Sequence, residues 1–89
     1  MTNMKQVTVG TTAVQVLGPQ LNPTKLILHN AEKASNEFIW FGNSSAVTTT
    51  SGAHLDNAST YEWTLGVGDE LWAITDKPGK SLHIIWRVL

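Results

Sequence analysis

Cysteine is absent from this 89-residue chain, and that absence removes disulfides, thiolate metal sites and a cysteine nucleophile together. Small secreted domains without disulfides are uncommon. The opening residues MTNMKQVTVG contain no apolar stretch of the kind a secretory signal needs, so synthesis in a cytosol is expected. No run approaches the roughly 18–20 apolar residues of a membrane helix, so no membrane partner is expected. Charge is scarce as well. Only 15% of residues are Asp, Glu, Lys or Arg, below the roughly 25% of ordinary soluble domains. The six cations, Lys5, Lys25, Lys33, Lys77, Lys80 and Arg87, are scattered among acids, and the net charge is −1. Nucleic-acid binding draws its affinity from clustered cations on phosphate, so that function class is excluded.

What the chain does contain is apolar residues, 42% of the total, with four tryptophans. That is too many for disorder. Together with the thin charge it suggests a surface partly covered by a partner. The length allows one domain, and a chain this short has a narrow stability margin on its own.

Alternation of apolar and polar residues marks short strands throughout. Lys5–Val9 and Ala13–Leu17 carry valines on one face. In Lys25–Asn30, Leu26 and Leu28 oppose Ile27 and His29. Glu37–Phe41 reads as its return strand in an antiparallel hairpin, across the polar connection from Ala31 to Asn36. Gly42–Ser45 is turn chemistry, and the β-branched Ala46–Thr50 reads as an edge strand, followed by a Gly and a short return strand. Tyr61–Leu65 alternates cleanly, with Tyr61, Trp63 and Leu65 on one face. Glu70–Thr75 is a strand whose inward face the pattern leaves open between Trp72/Ile74 and Leu71/Ala73. Asp76–Lys80, DKPGK, is a strong turn, with Pro78 setting φ and Gly79 supplying positive φ. Ser81–Leu89 is the longest strand and is apolar on both faces, so Ile85 and Leu89 point to a neighbouring subunit. Regular short strands with turns at roughly 8–12-residue spacing make the fold all-β: a compact antiparallel β-sandwich of about seven to eight short strands. Residues 7–89 form the expected domain, and residues 1–6 a polar, flexible N-terminal arm.

No catalytic constellation emerges. His29, His54 and His83 lack metal-type spacing and read as surface or interface residues rather than the ligands of a cupin-type enzyme. Asp56, Asp69 and Glu70 read as solvated charges; a glycosidase needs two carboxylates across a cleft. Ser35, Ser44, Ser45, Ser51, Ser59 and Ser81 lie outside any nucleophile motif. Gly66-x-Gly68 lacks the strand–helix setting of a phosphate loop. The sequons at Asn43 and Asn57 have no secretory context. The chain is therefore expected to be no enzyme, with no catalytic, cofactor-binding or metal residues and no cofactor. Among the tryptophans, Trp63 and Trp86 are expected in the core, and Trp40 and Trp72 near a surface or subunit boundary; the competing reading is a sugar-stacking platform.

The succession VTVGTTAVQVL, KLILHN, FIWFGNSSAVTTTSGAHL, YEWTLGVGDELWAIT and LHIIWRVL resembles that of small bacteriophage virion structural proteins, over roughly Val7–Leu89. The connection from Ala31 to Asn36 departs from that pattern by being longer and more charged. The resemblance implies a jelly-roll-like sandwich and a capsid decoration or cement protein, or part of a head fibre or tail. It also implies a homo-oligomer, a trimer favoured, made in the host bacterial cytoplasm, located in the virion and partnered by proteins such as the major capsid protein. The residues expected to carry self-association or shell contact are Val47, Thr48, Thr49, Thr50, Ile85, Leu89, Trp40 and Trp72. The alternative function is a receptor- or carbohydrate-binding module of a phage tail or head fibre.

Overall fold

In the computed structural model, residues 2–34 and 37–89 are described; Met1 of the expected arm, and Ser35 and Asn36 of the expected hairpin connection, lie outside them. The eight strands are β1 (Thr2–Val9), β2 (Val14–Leu17), β3 (Thr24–Asn30), β4 (Ile39–Gly42), β5 (Ala53–Leu55), β6 (Thr60–Leu65), β7 (Leu71–Ile74) and β8 (Lys80–Val88). They form two four-stranded sheets, ordered β1-β8-β3-β6 and β2-β7-β4-β5, with every pairing antiparallel. The fold is the all-β, jelly-roll-like sandwich that the strand pattern and the resemblance led one to expect.

Between the sheets the alternation resolves into a core. Leu26, Leu28, Leu82 and Ile84 from the first sheet meet Ile39, Phe41, Leu71 and Ala73 from the second, all buried. The ambiguity in β7 is settled: Leu71 and Ala73 point inward, leaving Trp72 and Ile74 half-buried. Trp63 and Trp86 pack partly buried against the core. The DKPGK turn holds Gly79 at φ +77°, a conformation that costs a side chain about 1–2 kcal/mol.

Three expectations require correction. The polar arm is a strand from Thr2 onward, because each residue from Thr2 to Val9 finds a partner between Lys80 and Arg87 on β8. The hairpin of β3 with the following strand does not form. β3 lies between β8 and β6, and β4 crosses to the other sheet between β7 and β5. The crossing is fixed by Asn30, fully buried at the end of β3. Its Nδ2 donates to the carbonyls of Glu37 (2.7 Å) and Leu55 (3.0 Å), and its Oδ1 accepts from the Glu32 N–H (3.0 Å). Finally, Ala46–Thr50 is not an edge strand. The Thr48 hydroxyl lies 3.1 Å from that of Thr50 and 2.8 Å from that of Ser51, and accepts from the Ser51 N–H at 3.1 Å. These side-chain bonds compete with a ladder and fold the segment into turns. The edge strands of that sheet are β2 and the short return segment β5.

Candidate functional site

Side chains on the outer face of the first sheet form three rows across its strands. Because Leu26, Leu28, Leu82 and Ile84 face inward, Ile27, His29, His83 and Ile85 face out. Strand register then sets Met4 beside Ile85 and Ile85 beside Ile27, one apolar side chain from each of β1, β8 and β3. These three are 76%, 38% and 36% exposed. On one side of this row the register aligns Gln6, His83, His29 and Thr60. The two imidazoles meet edge-on with centroids 6.2 Å apart, and His29 Nδ1 lies 3.2 Å from the Thr60 hydroxyl. On the other side Arg87 pairs with Lys25, whose ammonium is bound by Glu62 at 2.6 Å. The apolar and imidazole rows line a shallow depression of ≈ 540 Å³.

The outer face of the second sheet is aromatic. Trp40, between the inward Ile39 and Phe41, packs against Phe38 (5.9 Å between centroids) and lies 6.3 Å from His54, which in turn meets Phe38 at 5.5 Å. The His54 ring is held by Asp56 at 2.9 Å. On the neighbouring strand β7, the Trp72 indole N–H donates to Glu70 at 2.9 Å, and Gln15 donates to the same oxygen at 2.7 Å.

The expected contact residues thus divide. Ile85 belongs to the exposed apolar row, and Leu89 lies 62% exposed beyond the end of β8 with its N–H donated to Pro23. Trp40 and Trp72 lie half-buried on the opposite outer face. Val47 is only 6% exposed and packs against Gly42 and Gly52, so it is spent inside the fold and is corrected as a contact residue. Thr48, Thr49 and Thr50 sit in turns and offer no strand edge for pairing. The pattern missed Met4 and Ile27. Met4 fell in the presumed arm, whereas Ile27 was visible as the apolar residue opposite Leu26 and Leu28.

One ion-pair cluster fastens the β3–β4 crossing to the β7–β8 turn. Glu37 lies 2.6 Å from Lys80 and 3.7 Å from Lys77. The Lys80 hydrogen bond holds the Glu37 carboxyl below the usual carboxylate range against a smaller upward push from burial, with Lys77 adding to the lowering. The same bond raises Lys80. Both side chains are substantially covered, so the cluster acts on the fold rather than at a reactive surface. Among the described residues, no group of three or more His, Asp or Glu is placed to hold a metal ion.

Strands, core and outer faces together define an all-β sandwich of two antiparallel four-stranded sheets. No protein-family model matches the chain, and no curated protein matches it in sequence. Solved structures do share its form. A chain of the Bacillus endospore appendages that form a family of disulfide-linked pili is 11% identical, with TM-score 0.63, covering 100% of this chain and 86% of that one. A de novo designed double-stranded β-helix is also 11% identical, with TM-score 0.53 and coverage of 96% of both chains. A pentameric capsid protein isolated from metagenomic phage sequences is 17% identical, with TM-score 0.49, covering 97% of this chain and 62% of that one. At such identities the first two likenesses are likenesses of fold.

Proposed function

We propose that this chain is a structural subunit of a bacteriophage virion, of the capsid decoration or cement type. In this reading it associates with copies of itself through the outer face of the first sheet and with other virion proteins, such as the major capsid protein, through its remaining surface. It carries out no catalysis. The observation that carries the reading is the apolar row Met4–Ile85–Ile27, which crosses three adjacent strands in the open. Apolar surface of this kind is stabilised by removal from water, at about 25 cal/mol per Å² buried. The virion assignment itself rests on the motif succession from Val7 to Leu89.

Light scattering on the size-fractionated full chain tests the reading. At high micromolar concentration a homo-oligomer is expected, with the trimer the favoured state. Ile85→Asp should shift it to monomer, with a far-UV circular dichroism spectrum like the parent's as the check that the variant is folded. A parent chain that stays monomeric, or an Ile85→Asp variant that assembles like the parent, would overturn it.

A further inference from the structure

The two sheets are not joined by strand pairing at either edge of the sandwich. β6 ends the first sheet and β5 ends the second, and these two strands do not pair with each other. Residues 43–52 arch over the gap and leave a cleft of ≈ 480 Å³. Its floor is Phe41, buried at 5% exposure. Its wall is β6, where Tyr61 and Trp63 lie with ring centroids each 5.4 Å from that of Phe41, tilted by 40° and 54°. Its lining includes Asn43, Ser44 and Ser51; the Ser44 hydroxyl accepts from the Ala46 N–H and the Ser51 hydroxyl from the Thr48 N–H, each at 3.2 Å, which leaves each hydroxyl further bonding capacity. None of the lining residues bears a formal charge. The rim is held in shape: Val47 N–H donates to the Ser44 carbonyl at 3.2 Å, and Gly52 N–H to that of Thr48 at 3.1 Å. Tyr61 is 47% exposed although it faces the interior side of its sheet, which is what an unfilled place at the edge of a core looks like.

We infer that this cleft binds one unit of a neutral saccharide. A sugar ring has an apolar C–H face and a circumference of hydroxyls. The cleft presents the matching arrangement: aromatic faces on one side and uncharged hydrogen-bonding groups on the other, without a cation to demand an acidic ligand. An all-apolar ligand would cut the Asn43 amide off from water without offering it a partner, at the cost of desolvating a polar group. An anionic sugar would find nothing to neutralise it. The site is separate from the apolar row, which lies on the outer face of the same sheet, so self-association and saccharide binding can succeed or fail independently.

Saturation-transfer NMR on the full chain tests this with maltohexaose, cellohexaose and chitohexaose as neutral probes and oligogalacturonate as the anionic one. At least one neutral oligosaccharide should bind in the millimolar range or tighter. Tyr61→Ala should weaken that binding by about tenfold, the scale of one lost aromatic contact, and Tyr61→Phe should retain it. The oligomeric state and a cooperative urea transition of both Tyr61→Ala and Tyr61→Phe serve as the check that the fold is intact. Absence of binding by all three neutral probes would overturn the inference. So would binding that survives Tyr61→Ala, or an anionic probe that binds as well as the neutral ones.

Discussion

Replacing Asn30 should cost this protein a large part of its stability, and the structure supplies the arithmetic. The side chain is fully buried and ties three separate segments together through the Glu37 and Leu55 carbonyls and the Glu32 N–H. In Asn30→Ala all three groups lose their partner. The Leu55 contact is the deeply buried one, and a buried polar group left unsatisfied costs about 1–3 kcal/mol. The other two are partly reached by water and together contribute about 1–2 kcal/mol. The expected loss is therefore about 2–5 kcal/mol, against about 4–13 kcal/mol for a domain of this length. Asn30→Asp separates hydrogen bonding from size. Its carboxylate still accepts from Glu32, but it sets negative charge against two carbonyl oxygens that need a donor. It should be at least as damaging as Ala at neutral pH. The buried acid's folded pKa is raised, so the variant should regain stability as the pH falls and protonation restores one donor. Urea unfolding followed by tryptophan fluorescence, extrapolated linearly to water, measures both. A loss under about 1 kcal/mol for Asn30→Ala, or an Asn30→Asp variant as stable as the parent at pH 7, would refute the role assigned to this residue.

Gly52→Ala places a Cβ 2.7 Å from Val47 Cγ2 and 2.9 Å from the Phe41 carbonyl oxygen, an overpacking expected to cost about 1–3 kcal/mol in the same urea experiment. Gly42→Ala, whose Cβ comes no closer than 3.1 Å, should cost less. The lowered pKa of Glu37 implies stability that is present above the ordinary carboxylate range and lost as the pH falls through the folded value. Glu37→Gln should therefore flatten the acid limb of a stability-against-pH curve, and an unchanged limb would show that the Lys80 and Lys77 pairing is inconsequential.

Much of the fold was legible in the sequence, and the illegible parts have physical causes. Period-two alternation placed β3, β6 and β8 within a residue at either end, because each buries one face only. It could not orient β7, where Trp72 and Ile74 rival Leu71 and Ala73 in bulk while only neighbours decide which pair goes inward. It assigned β3 and β4 to one hairpin because consecutive strands usually pair, whereas the buried Asn30 amide sends the chain across to the other sheet. β-branching suggested a strand at Ala46–Thr50, but Thr48 and Ser51 hydroxyls captured the local backbone. Of the surface, Ile85 was readable from a strand apolar on both sides. Met4 was not, since its significance depends on a β8 partner some eighty positions away in the chain. The cleft rests on the meeting of Phe41 with Tyr61 and Trp63 across two unpaired strands, a juxtaposition that no linear pattern encodes.

The exposed row is assembled from three strands far apart in the sequence, through Met4, Ile27 and Ile85. No fragment and no partly folded chain displays it, because it comes into being only when β1 has closed onto β8 and β8 onto β3. An assembly nucleated on that surface proofreads its own building blocks, since a molecule with an unfinished interior has no handle by which to be incorporated.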